Sequence, residues 1–119
     1  MANKEVSEKV KPIVIHDEEH QKDYTLEFSR DSVLFAEQRG FAVADIDRYP
    51  MVKLPELFFY AFRMHHPNVS KAYTDKILFD DLGGMPDGMA ERLGELYAAP
   101  YKALDGGSKS KNPQMTVEL

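Results

Sequence analysis

Leu54-Pro-Glu-Leu-Phe-Phe-Tyr-Ala-Phe-Arg-Met-His-His-Pro67 is the stretch on which the fold turns. Pro55 suits the first turn of a helix, where the missing N–H costs nothing. Glu56 to His66 then reads as helical, and Pro67 stops it. Leu54, Leu57, Phe58 and Ala61 make one apolar face, while Phe59, Tyr60, Phe62 and Met64 spread around much of the remainder. A surface helix needs an apolar stripe on one side only, so a helix greasy nearly all round is expected at the centre of a domain. Part of it is alternatively left open to a partner or a second subunit, because three other short helices give thin cover. The stretch includes Glu56 and Arg63 and is too short to span a bilayer.

Working outward toward the N-terminus, residues 1–11 are polar and aperiodic, and are expected to form a flexible arm. Pro12-Ile-Val-Ile15 and Tyr24-Thr-Leu-Glu-Phe28 flank the charged run His16-Asp-Glu-Glu-His-Gln-Lys-Asp23. Two β-prone runs around a polar turn predict a β-hairpin, with Tyr24, Leu26 and Phe28 facing the core. Ser29 is a good N-cap, Asp31 suits the positive first turn, and Gly40 is a strong stop, so a helix is predicted over 30–39. Phe41 then folds back as an apolar anchor. Residues 42–53 are ambiguous: Ala44-Asp-Ile-Asp47 opens a helical turn that Tyr49-Pro50 interrupts.

Toward the C-terminus, Ser70 caps a helix over 71–82, which Gly83-Gly84 closes. Pro86-Asp87 starts a last helix that reaches about Leu104, with a bend before Pro100. Leu93, Leu96, Tyr97, Tyr101 and Leu104 form a second apolar series at helical spacing. Beyond it, residues 105–119 read as a flexible Gly/Ser/Lys tail. The expected architecture is mainly α (α+β): one domain over 12–104, with an N-terminal β-hairpin followed by about four short helices.

Composition narrows the function classes. The chain has 119 residues, 43% hydrophobic and 29% charged, which suits one folded domain. It has no cysteine, so disulfides, thiol nucleophiles and cysteine-ligated metals are excluded. The net charge is −5, and the densest basic cluster is Lys109 with Lys111, which argues against nucleic-acid partners. The charged start lacks the apolar core of a secretion signal, and no membrane association is expected. Together these place the protein in a cytoplasm.

Candidate chemistry is sparse. His16 and His20 bracket Asp17, Glu18 and Glu19, but the segment reads as a hairpin turn and hence as a solvated acidic loop. His65 and His66 are adjacent and point about 100° apart on a helix, which disfavours a shared metal; packing by one and capping by the other is expected. A hydrolase built from His65 or His66 with Asp80 or Asp81 would need a pocket bringing them together. Asp80-Asp81 lies just before a helix end, an unfavourable place unless a cation stands nearby. Gly83-Gly-Met-Pro-Asp-Gly88 lacks the lysine and hydroxyl of a phosphate loop and reads as an interhelical turn. No catalytic residue, metal or cofactor is assigned. A docking face for an apolar partner is assigned to Leu57, Phe58, Phe59, Tyr60, Phe62, Met64, Leu93, Leu96, Tyr97 and Tyr101.

Several segments resemble the tail assembly chaperones of long-tailed bacteriophages and prophages. They are Tyr24-Thr-Leu-Glu-Phe28 with Phe35-Ala-Glu-Gln-Arg-Gly-Phe41, Leu54 to Pro67, Lys76-Ile-Leu-Phe-Asp-Asp-Leu-Gly-Gly84 and Leu96-Tyr-Ala-Ala-Pro-Tyr101. The resemblance covers roughly residues 12–104 and implies a non-enzymatic role. Such chaperones are small, largely helical and self-associating. They coat the apolar tape-measure protein and help recruit tail-tube subunits in the bacterial cytoplasm, and are absent from the mature virion. The resemblance also implies a longer form made by ribosomal frameshifting, for which Lys111-Asn112 is compatible with an A-rich slippery heptamer. Readings of a different class are a small regulatory or interaction protein, such as a regulator that binds DNA, and the small hydrolase considered above.

Overall fold

The structure, a computed structural model, describes residues 9–104 and 112–119. The expected flexible segments therefore fall partly outside the described residues, as do Lys109 and Lys111. Two antiparallel strands, β1 (Ile13–Asp17) and β2 (Lys22–Leu26), form the N-terminal hairpin, with Ile15 opposite Tyr24. Four helices follow: α1 (Arg30–Gln38), α2 (Pro50–Phe62), α3 (Lys71–Asp75) and α4 (Met89–Ala98). The α+β architecture is the one read from the sequence.

The hairpin is longer than expected because the strands run into the charged segment, leaving a turn at residues 18–21. Gln21 closes it with a left-handed φ of 54°. Tyr24, Leu26 and Phe28 are all buried, as the period-two pattern requires. Part of the expected arm is pinned rather than free. Val10 packs against the core, and the Arg92 guanidinium donates to the Lys11 carbonyl at 3.3 Å.

At the start of α1 the Ser29 hydroxyl accepts from the Ser32 N–H at 3.1 Å, and the Ser32 hydroxyl accepts from the Ser29 N–H at 2.8 Å. The two serines form a reciprocal capping box. At the other end Gly40 adopts φ +88°, a conformation open to glycine at little cost. There the Gly40 N–H reaches the Glu37 carbonyl and the Phe41 N–H reaches that of Ala36, a Schellman closure. That reversal turns Phe41 inward, where it is buried.

The main difference from the sequence reading lies in α2. It starts at Pro50, so Pro50 takes the first helical position and Pro55 stands inside the helix. An interior proline strips the preceding turn of one acceptor's partner. The carbonyl so freed is that of Met51, whose side chain is exposed, on a stretch of helix open to solvent. The segment Val43–Asp45, the ambiguous region, is a short 3₁₀ turn. α2 also ends earlier, at Phe62, with a tightened closing bond from the Arg63 N–H to the Tyr60 carbonyl.

α3 is capped by Ser70 and widens into a π turn over Lys76–Asp81. The wide turn lets consecutive Ile77 and Leu78 both face the core while Phe79 faces out. The expected last helix divides at Ala98: α4 ends there and a 3₁₀ segment, Ala99–Leu104, carries Pro100 and Tyr101. The core lies where α2 crosses the hairpin, α1, α3 and α4, around Leu26, Phe58, Phe62, Leu93 and Tyr97.

Candidate functional site

The structure corrects the assignment of a docking face to α2 and α4. Leu57, Phe58, Tyr60 and Phe62 are buried, and so are Leu93, Leu96 and Tyr97. These side chains are core. The short helices cover more than their number suggests because the hairpin and the Phe41 reversal close the remaining sides. Tyr24 lies 5.6 Å from the Phe62 ring, and Phe41 lies 5.5 Å from both Tyr60 and Tyr97. Phe28 packs edge-on to Tyr97 at 4.9 Å, a favourable aromatic geometry. Phe59 is half-buried beside Tyr60. The Tyr97 hydroxyl has no hydrogen-bond partner among the described residues, and burial pushes its pKa up to about 12.

The remaining two assigned residues, Met64 and Tyr101, are exposed. They stand on opposite sides of Leu34, an outward residue of α1 that is 47% exposed. On one side Leu34 borders a cleft walled by Phe35, Arg63 and Met64. On the other it walls a groove shared with Val33, Pro100, Tyr101 and Leu104, enclosing about 190 Å³. Tyr101 is 38% exposed and Leu104 77% exposed, so the groove floor is apolar and open. The result is a strip running Met64, Leu34, Tyr101, Leu104 across the outer side of α1.

The strip has a defined shape. The Tyr101 hydroxyl donates to the Glu37 carboxylate, which fixes the 3₁₀ segment against α1. Tyr101 also packs on the buried Tyr97 at 5.9 Å. Phe35 is clasped by two guanidinium groups, Arg39 at 4.1 Å and Arg63 at 3.8 Å from the ring, holding the other flank. Arg30 stands on the groove rim and has no carboxylate partner among the described residues. Chemically the strip offers an apolar floor, an aromatic side chain and a charged rim. The sequence reading included Tyr101 and Leu104 in the second apolar series but did not assign Leu34. Its signal was an apolar residue, beside Phe35, off the inward Val33/Ala36 side of the helix.

The histidines and acids are engaged elsewhere. His66 packs edge-on to Tyr24 at 5.3 Å, and its Nε2 accepts from the Thr25 N–H at 3.0 Å. Burial, and then neighbouring His65, pull its pKa below the ordinary histidine value. His65 does not cap the helix; its Nε2 meets the Glu27 carboxylate at 2.9 Å. The cleft beside the two histidines is walled by Asp23, Tyr24 and Tyr73, with neither Asp80 nor Asp81 among its walls. Asp81 instead meets the Lys76 ammonium at 3.3 Å, which supplies the cation that two acids near a helix end call for. In the hairpin turn Asp17, Glu19 and His20 converge, and Asp17 accepts from the His20 backbone N–H at 3.1 Å while meeting its ring at 2.8 Å. The side-chain bond to His20 lowers the Asp17 pKa. His16 bonds Asp23 at 2.9 Å across the strands.

Among the described residues no helix is long and apolar enough to cross a membrane. No curated protein and no solved structure matches the chain. A family does match it, over residues 1–119: the chain belongs to the family described as Domain of unknown function (DUF5055).

Proposed function

We propose that this protein is a phage tail assembly chaperone that docks an apolar helix of the tape-measure protein along the Met64–Leu34–Tyr101–Leu104 strip. Two things support the reading. One is the resemblance of the segments quoted above to that class of chaperone. The other, which carries the site, is that exposed apolar side chains from the turn after α2, the outside of α1 and the 3₁₀ segment converge on one side of the domain. A helix laid across the strip would present residues at i, i+3 and i+4 to Leu34 and Tyr101.

The mechanism is shielding without chemistry. A long helical client exposes apolar stripes that aggregate in water. Each aliphatic or aromatic side chain fully withdrawn from water is stabilised by about 1.5–3 kcal/mol, so three or four partly buried contacts give weak, reversible binding. Reversibility suits a cover that tail-tube subunits later displace in the host cytoplasm. Self-association of the chaperone belongs to the same reading.

The test is co-purification of the full chain with a tape-measure fragment. Leu34→Asp and Leu104→Asp are expected to keep native circular dichroism and lose binding at least 10-fold, since each puts a charge on an apolar floor. Undiminished binding by both folded variants would remove the strip from the interface.

A further inference from the structure

Met115, Val117 and Leu119 alternate with Thr116 and Glu118, and all three apolar side chains are exposed. An extended segment with that period carries its apolar groups along one edge. Nothing in its own surroundings covers that edge, yet the same chain holds an open apolar groove between α1 and Ala99–Leu104. The groove encloses about 190 Å³. A cavity of roughly 150 Å³ takes a benzene-sized group, so the groove fits one aliphatic anchor, with its neighbours lying along Leu34 and Leu104.

Connectivity and charge favour this segment as the occupant. Leu104 is the last wall of the groove and also the point from which the chain runs on to Met115. Eleven residues reach at most about 35–40 Å, whereas the nine residues of α1 extend for only about 14 Å. The tether therefore allows Met115–Leu119 to return to its own groove, at an effective concentration on the order of millimolar. Arg30 on the rim and Glu118 in the segment are of opposite charge, and neither has an ionic partner among the described residues.

We propose that Met115–Leu119 is an intramolecular strap that closes over the groove of its own chain and competes there with the apolar client. In the structure the three apolar side chains of the segment are exposed, and none of its residues lines the groove. The strap itself rests on the groove and the alternation; its competitive role rests on the client reading above.

The absence of cysteine allows a single label: Thr116→Cys carrying a nitroxide in the otherwise intact chain. Amide resonances of Val33, Leu34, Ala103 and Leu104 are expected to broaden, equally at tenfold dilution. The broadening is expected to disappear in Val117→Asp/Leu119→Asp, substitutions outside the core. Groove amides untouched by the label would overturn the strap. So would broadening seen only when isotope-labelled chains are mixed with spin-labelled copies, because the occupant would then come from a second molecule. An amphipathic leucine-rich helical peptide is expected to bind about tenfold more tightly after removal of residues 114–119. Unchanged affinity would refute competition. A peptide that binds neither form would count against the client reading, and the relaxation experiment decides the strap by itself.

Discussion

His66 shows how one side chain ties two elements together. Its ring accepts the Thr25 N–H on β2, and this requires the neutral imidazole. Its pKa is depressed in the folded protein, mainly by burial. Above about pH 6.5 both folded and unfolded chains hold it neutral, so its contribution to stability is fully present. As pH falls below that value the unfolded state takes up the proton first, and stability drops toward the lower folded pKa. We expect His66→Gln, which keeps an acceptor without a titration, to flatten the loss of denaturation midpoint between pH 6.5 and 5. An unaltered slope would assign that loss to another group. The Asp17 carboxyl, lowered by His20, acts in a separate and more acidic window, where falling pH removes what its ionised form contributes.

At the scale of the element, α1 matters most because its inner side is core and its outer side is the strip. Nine residues are too few for a helix to persist in water unaided, so its ends carry weight. Ser29→Ala removes the acceptor for the Ser32 N–H and is expected to cost about 1 kcal/mol, read as a lower urea midpoint at unchanged m. A neutral result would mean that another group takes over the cap. Capping and stop signals of this kind were legible because they are local chemistry: serine before, glycine after. Pro55 was not legible in the same way. Proline at a first turn and proline inside a helix look alike in sequence, and which one holds depends on whether Pro50 has already started the helix.

At the scale of the molecule, aromatic rings knit the hairpin to the helices. Phe58 is fully buried at 0% exposure and packs edge-on to Phe62 at 5.2 Å. Phe58→Ala is expected to cost about 3–5 kcal/mol, much of the stability of a typical small domain. Thermal melting would show it as a large fall in midpoint, and a small fall would mean that the core repacks. The same core explains why α2 is unsuited to docking. A partner cannot reach Phe58 or Tyr60 without unfolding the domain, whereas Leu34 and Leu104 are already at the surface.

The amino-acid sequence by itself determined the α+β order, the hairpin's inward residues and the limits of α1. Each of those depends on periodicity or capping within a few residues, and such signals are written locally. Which apolar groups stay wet was decided by tertiary structure alone. Cover over α2 comes in part from Tyr24 and Phe41, whose rings pack on Phe62 and Tyr60, and the strip gathers Met64, Leu34 and Leu104 from three separate parts of the chain. Exposure is a property of what packs on a residue from elsewhere, so no window of sequence contains it.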